Sequence, residues 1–259
     1  MNDLEKYFLE NSGNLIYKWM HYFEIYDRHF SRFRGTDVHL LEIGVYHGGS
    51  LRMWKDYFGS RARIFGVDCN PQCKQFEDEQ ITIFIGDQAD RQFLRSLAQA
   101  IPRLDILIDD GGHKAKQQIA TFGVLFPRIS TEGIYLCEDT HTSYWREYGG
   151  GYRKRASFVE YSKNFIDYIH AWHSREPRRL SVSEFTKSVH SLHFYDSVLV
   201  IERRPGEQPR KKCTGCPSLP PGEARRSSVY DRLMRWSRGK RDRQASGSKT
   251  QGDRTDLLS

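Results

Sequence analysis

From residue 38 onward, short apolar runs alternate with stretches whose apolar residues recur every three or four positions. VHLLEI (38–43), ARIFGV (62–67), ITIFI (81–85), DILID (105–109) and GIYLCE (133–138) have the length and continuous apolarity of strands buried on both faces. Between them, Phe93, Leu94, Leu97 and Ile101 share one face of a helix within 88–101, and Ala115, Ile119, Phe122 and Phe126 do so within 115–126. Strand and helix in strict alternation predict a parallel, doubly wound α/β sheet. A helix is expected near 156–173. The two runs over 189–203 follow each other too closely for a crossover, so they predict an antiparallel pair.

Before this pattern, residues 3–34 predict a helical segment dense in aromatics. Ile16, Met20, Phe23 and Phe30 recur near helical spacing, with Trp19, Tyr22 and Tyr26 alongside. Packing against a core, or against a second subunit in a homo-oligomer, is the expected use of such a face, rather than substrate binding. After Pro205 the composition changes to Arg, Ser, Gly and Pro with few large apolar residues, which predicts disorder. The expected organisation is therefore a helical segment 1–36, a catalytic domain 37–204 and a basic tail 205–259.

Charge sharpens that division. The chain of 259 residues has a formal net charge of +7. Residues 205–259 hold 13 Lys+Arg and 6 Asp+Glu, so the whole excess lies in the tail and the rest is neutral. A neutral folded part gives no reason to expect nucleic acid as a partner. Within the tail, SSVYDRLMRWSRGK (227–240) could form a short basic amphipathic helix making weak contact with an anionic membrane, or remain solvated. No apolar run approaches the ~20 residues of a membrane span. The N-terminus lacks a signal-peptide pattern, and five cysteines show no disulfide framework, so a cytoplasmic location is expected. Cys213 and Cys216 make half a zinc site with no second pair at a suitable spacing.

In open α/β sheets, ligands bind beyond the carboxyl ends of the strands. There the chain places Glu42, then a glycine-rich loop from Gly44 through Gly48 and Gly49 to Ser50, then a helix. The loop is not a dinucleotide fingerprint: where that motif needs its second glycine, the chain has Tyr46. It also lacks the Lys-Ser/Thr ending of a phosphate-binding loop. The second run ends at Asp68, placed to accept from ribose hydroxyls, and the third in Gly86-Asp87-Gln88, suited to a purine amine. The fourth ends in Asp109-Asp110. Any one of these acids could simply cap the next helix. Four consecutive strand ends bearing acids suggest a site for a ribose and a base without a pyrophosphate, which is what S-adenosylmethionine presents.

The most informative stretch is IDDGGH (108–113). Asp110 has a partner pair, Glu138-Asp139, at the end of the next strand, and neighbouring parallel strands would bring these acids together. A hard divalent cation such as Mg²⁺ would relieve their repulsion. Histidine is suited to take a proton near neutral pH, and His113 follows Asp110 by three residues, across a Gly111-Gly112 turn. Asp109 is expected to face the cofactor. His141 and His47 are further candidates for the base. Thr142, Ser143, Tyr144 and Trp145, followed by Gly149 to Gly151, read as a loop over the substrate, with an aromatic ring able to stack on a sugar.

LLEIGVYHGGSLRMWKDYF, IFGVD, IGDQ, LIDDGGH and EDTHTSYW together resemble the class I S-adenosylmethionine-dependent methyltransferases. More narrowly they resemble the metal-dependent sugar O-methyltransferases of macrolides and other glycosylated natural products. The resemblance covers roughly residues 15–203. It implies a Rossmann-like sheet of seven strands with the last antiparallel. The strand-end pattern puts Glu42, Gly44, Ser50, Asp68, Asp87, Gln88 and Asp109 around the cofactor, and the resemblance implies Asp110, Glu138 and Asp139 as Mg²⁺ ligands, His113 as base, and a small-molecule or glycan acceptor. In the macrolide members a large N-terminal domain precedes the catalytic part, where this sequence shows a helical segment. Two other readings stay open: a cephalosporin-hydroxylase-like enzyme of the same fold, or a cofactor-binding module that docks through its basic tail.

Overall fold

A computed structural model describes residues 1–216. Each of the five apolar runs forms a strand: β1 (His39–Ile43), β2 (Arg63–Asp68), β3 (Ile81–Ile85), β4 (Leu104–Asp109) and β5 (Ile129–Cys137). The helices between them are α3 (Gly49–Phe58), α4 (Arg91–Ala100) and α5 (Ala115–Leu125), and α6 (Phe158–Ile169), α7 (Glu184–Ser188), β6 (Val189–Tyr195) and β7 (Val198–Arg203) follow β5. The sheet has seven strands in the order β3-β2-β1-β4-β5-β7-β6. β1 to β5 pair in parallel, and β7 runs antiparallel to both β5 and β6. β7 can do so because residues 195 to 198 close a hairpin.

Adjacent residues of one strand point to opposite faces, and each face has its own core. Leu40, Ile64 and Ile106 pack beneath Trp54 and Phe58 of α3. Leu41, Phe65 and Leu107 pack beneath Leu94, Phe122 and Phe165 of α4 to α6. The sequence order reverses between β1 and β4, so the loops leaving these strands diverge. That switch point opens the crevice used below.

The N-terminal segment is helical as expected, in two pieces, α1 (Asp3–Glu10) and α2 (Tyr22–Phe30), joined by an irregular stretch over 11–21. Tyr22, Phe23, Tyr26 and Phe30 are buried in the chain's own core against α3. The segment is therefore part of the same compact unit as the sheet, which spans residues 1–209. Gly206 N donates to Lys187 O at 2.7 Å, which holds the chain past β7. A second unit begins at Arg210. Its described residues, 210–216, are exposed and form neither helix nor strand, and Cys213 and Cys216 are free thiols. The basic helix expected over 227–240 lies outside the described residues. Among the described residues no helix is long and apolar enough to cross a membrane.

One surface cluster ties the turn before β3 to α3. Asp78 accepts from Lys55 Nζ at 2.6 Å, from the Arg52 guanidinium, and from the backbone N–H groups of Gln80 and Ile81 at 2.8 and 3.0 Å. Partial burial opposes its charge, but the Lys55 and backbone donors outweigh it and hold the carboxyl down at about 2. A depressed native value means stability that is complete above the ordinary carboxylate range and is lost as pH falls from about 4 toward 2. Asp78→Asn is expected to cost on the order of 1 kcal/mol at pH 7, after discounting for solvent screening. Urea unfolding of both proteins should show the difference shrinking below pH 4. A difference independent of pH would place the effect in packing instead.

Candidate active site

A cavity of about 670 Å³ opens at the carboxyl ends of β1, β2, β3 and β4. Gly44, Tyr46 and Ser50 line it from the first loop, Asp68 from the second strand, Asp87 and Gln88 from the third loop, Asp110 and His113 from the fourth, and Asp139 from the fifth. Leu15, Ile16, Tyr17 and Lys18 of the 11–21 segment form the remaining wall.

Asp68 organises the glycine loop. Its Oδ2 accepts from the N–H groups of Val45 and Tyr46, both at 3.0 Å, and Oδ1 accepts from Asn70 N at 2.9 Å. Burial would raise its pKa, but these donors prevail and hold it low, so a stable negative charge faces the cavity. Asp87 is exposed at the rim and accepts from Ala89 N.

Gln88 lines the cavity, whereas Asp109 does not. Gln88 Nε2 donates to Asp109 Oδ1 at 2.5 Å and to Thr121 Oγ1 at 3.0 Å, and its Oε1 accepts from Gly112 N at 3.1 Å. Its amide group is thus committed to bracing the turn after β4. Asp109 lies outside the cavity lining, 1% exposed, with Tyr135 OH at 3.4 Å as a further partner. Burial pushes its carboxyl up to about 7. Because a parallel strand alternates its side chains between faces, Asp109 and Asp110 cannot both reach the cavity, and Asp110 does. Glu42 is likewise fully buried and outside the cavity lining, and accepts from Ser50 Oγ at 2.7 Å.

The acids after β4 and β5 converge as expected, but around a cation that the sequence reading missed. Lys18 Nζ donates to Asp110 Oδ2 at 2.5 Å and reaches the two Glu138 oxygens at 2.9 and 3.0 Å. Glu42 Oε1 is 3.6 Å away. Burial alone would discharge the lysine, yet Asp110, Glu138 and Glu42 outweigh it and keep it an ammonium. From α2, Tyr26 OH donates to Glu138 Oε1 and Tyr22 OH to Asp139 Oδ1, each at 2.7 Å. Burial first, then the acids, raises both phenols, so they remain donors. Besides packing the core, the N-terminal segment supplies three polar groups to the acidic cluster. A signal was available in Asn11-Ser12-Gly13-Asn14, a turn-forming run that interrupts the helical pattern.

His113 Nε2 lies 3.5 Å from Asp139 Oδ2 and 4.0 Å from Asp110 Oδ1. His113 and Asp139 both hold φ of 52°, a left-handed conformation that costs a non-glycine residue about 1–3 kcal/mol. Gly111 and Gly112 have no positive φ, so the turn is made at the histidine itself. Thr142 Oγ1 stands 3.0 Å from His113 O and 2.7 Å from Asp139 O, within donating distance of both strained residues. Thr142 and Ser143, expected over the substrate, are buried, and Ser143 Oγ accepts from Val159 N in the first turn of α6. Tyr144 and Trp145 are exposed. Trp145 and Trp19 both pack edge-on to His141, with ring centroids at 4.7 and 6.2 Å. His141 Nδ1 is engaged by Ser197 Oγ, and His47 lies outside the cavity lining, packed edge-on to Tyr46 at 4.2 Å.

The donor set suits a hard divalent ion. Asp110, His113 and Asp139 offer ligand atoms within 4.8 Å of one another, and so do Glu42, Asp110 and Glu138.

A family model described as a methyltransferase domain matches residues 41–140. The 8-demethyl-8-alpha-L-rhamnosyl tetracenomycin-C 2'-O-methyltransferase of Streptomyces olivaceus is 38% identical over 193 residues, covering 71% of this chain and 50% of its own length. Demethylmacrocin O-methyltransferase of Streptomyces fradiae is 34% identical over 205 residues, covering 74% and 51%. Among solved structures, the MycE methyltransferase of the mycinamicin pathway, in complex with Mg and SAH, superposes with a TM-score of 0.70 at 31% identity, covering 78% of this chain and 54% of its own. The chain thus spans about half the length of the relatives it matches. With the seven-stranded sheet and its antiparallel β7, these likenesses establish that the chain carries a class I methyltransferase domain and is a relative of the sugar O-methyltransferases of natural-product pathways.

Proposed function

We propose that the chain transfers the methyl group of S-adenosylmethionine to a sugar hydroxyl of a glycosylated natural product or surface glycan, assisted by Mg²⁺. The observation that carries this reading is the position of His113. Its Nε2 reaches the acidic cluster and the same cavity that Asp68 and the glycine loop line. Asp68, Gly44, Ser50 and Asp87 would hold the cofactor, with Gln88 and Asp109 positioning the turn opposite. Asp110, Asp139 and Glu138 would hold the Mg²⁺, whose Lewis acidity makes an alcohol a better proton donor. His113 Nε2 would take the hydroxyl proton; S-adenosylmethionine, when bound, would supply the methyl group through cleavage of its S–CH3 bond and leave as S-adenosylhomocysteine. Tyr22 and Tyr26, as donors, hold Asp139 and Glu138 in their rotamers. Exposed Trp145 and Tyr144 offer an apolar face to a sugar ring.

The relatives' names support the acceptor class: a rhamnosyl hydroxyl in one, and an O-methyltransferase acting on mycinamicin VI at its 2'' position in another. The test is transfer of labelled methyl to rhamnosylated tetracenomycin and mycinamicin VI, with Mg²⁺ and after exhaustive chelation. Transfer to at least one glycoside, absent from the aglycone and lost on chelation by about 100-fold or more, is expected. Turnover that survives chelation would remove the metal from the mechanism. Tight cofactor binding without transfer to any acceptor would leave the binding-module reading instead.

A further inference from the structure

The loop from β5 to α6 carries Arg146, Arg153, Lys154 and Arg155, with Glu147 as its single acid between residues 140 and 157. Lys114 and Lys116 stand just beyond the turn after β4. All six cations are exposed, and among the described residues none is held in an ion pair. Basic side chains near the cofactor loop are matched by contrast: Arg52 and Lys55 to Asp78, and Lys74 to Glu77. Residues 1–204 are neutral as a whole, so this excess is local.

The loop is pinned beside the reacting end of the cavity. Gly150 N donates to Trp145 O and Gly151 N to Ser143 O, each at 2.8 Å, and Lys154 N and Ser157 N close the following turns at 3.0 and 2.8 Å. A methyl group on Gly150 would stand 2.3 Å from Ser143 O, so the loop lies close against the residues after β5. Arg153 holds φ of 53°, a left-handed conformation that costs a non-glycine residue about 1–3 kcal/mol. Tyr148 of the same loop lines the cavity with its ring 6.5 Å from that of His113, and Lys114 follows His113 directly. The unpaired cations therefore border the mouth on the side of the base.

Charge inside the mouth has the opposite sign. Asp68, Asp87, Asp110 and Asp139 line the cavity against Lys18 and His113. An acceptor with an anionic end would be turned by this field, its charge held at the rim and its neutral hydroxyl directed inward. Three successive basic residues, Arg153, Lys154 and Arg155, match the charge and the several acceptor oxygens of a phosphate better than a single carboxylate. We propose that this rim binds a phosphate group on the acceptor, so that the sugar methylated here is a phosphate-bearing one, either a unit of a phosphate-containing glycan or a sugar nucleotide. The inference rests on the methyl-transfer reading above and narrows its acceptor class.

The experiment uses the full chain. With S-adenosylhomocysteine in the cofactor pocket and no metal, calorimetry with inorganic pyrophosphate is expected to show binding by wild type. A variant carrying Arg153→Asn, Lys154→Gln and Arg155→Gln should bind about tenfold more weakly or worse; asparagine keeps the left-handed backbone accessible. No binding by wild type overturns the proposal, and so does binding that survives the substitutions, which would belong to the basic tail. Methyl transfer with S-adenosylmethionine and Mg²⁺ then compares rhamnose 1-phosphate and a nucleoside diphosphate rhamnose with neutral methyl rhamnoside. The better charged acceptor is expected to exceed the neutral one by about tenfold or more in kcat/KM, through KM, and to lose that advantage in the variant and as salt rises from about 0.05 to 0.5 M. Which charged acceptor is better separates a simple phosphate ester from a sugar nucleotide. Equal use of charged and neutral rhamnosides, or turnover of the neutral glycosides alone, overturns the proposal and leaves the methyl-transfer reading standing. Transfer to none of these acceptors overturns both.

Discussion

Replacing His113 by alanine is expected to lower the methyl-transfer rate by about 10²–10⁴-fold, the usual contribution of a positioned general base, while cofactor and Mg²⁺ affinities stay close to wild type. The histidine sits on the turn after β4, in a left-handed conformation, with its carbonyl within reach of Thr142 Oγ1. Its Nε2 faces Asp139 and Asp110, and its Nδ1 is buried without a hydrogen bond, so neither nitrogen is tied up in holding the fold. Alanine at this φ carries strain of its own, so His113→Asn is the companion variant. Asparagine tolerates the left-handed region and keeps a polar side chain, but cannot act as the base. Both variants should lose activity equally and gain nothing from added Mg²⁺, and His113→Asn should keep its unfolding midpoint. Single-turnover rates with saturating cofactor would read this directly. A fully active His113→Asn would move the proton acceptor elsewhere in the cluster.

Gly44→Ala should be the most damaging small substitution in the cofactor loop, costing about 3 kcal/mol or more in stability and most of the cofactor affinity. Gly44 has φ of 101°, and a methyl group there would stand 2.1 Å from the carbonyl oxygen of Asp110. Neither backbone can yield cheaply. Gly44 N donates to Val67 O at 2.8 Å, and Asp110 N donates to Ile43 O at 3.0 Å, which pins the end of β1 to both neighbouring strands. Any retreat by Asp110 would also pull its carboxylate from Lys18. Urea unfolding gives the stability change and calorimetry with S-adenosylhomocysteine gives the affinity. A loss under about 1 kcal/mol would mean that the β1 and β4 loops separate more readily than this packing implies.

The sequence by itself determined the strands, the sheet class and the row of strand-end acids. Parallel strands buried on both faces must be continuously apolar, so VHLLEI or DILID have few other uses, and an acid at the end of such a run stands out against it. The hairpin over 189–203 was legible for a related reason: too few residues separate its two runs for a crossover. Which side each acid faces was harder to read. Asp109 and Asp110 are neighbours in sequence, and only the pleat of β4 sends one to the cavity and the other to Gln88 and Tyr135. The roles of Lys18, Tyr22 and Tyr26 were decided by tertiary structure alone. Lys18 lies 92 residues from Asp110 and 120 from Glu138, and no local periodicity records a meeting over such separations. A lysine among aromatics reads as a solvated charge until the fold brings it to the carboxyl ends of the central strands β1, β4 and β5, where three carboxylates make burial of an ammonium tolerable.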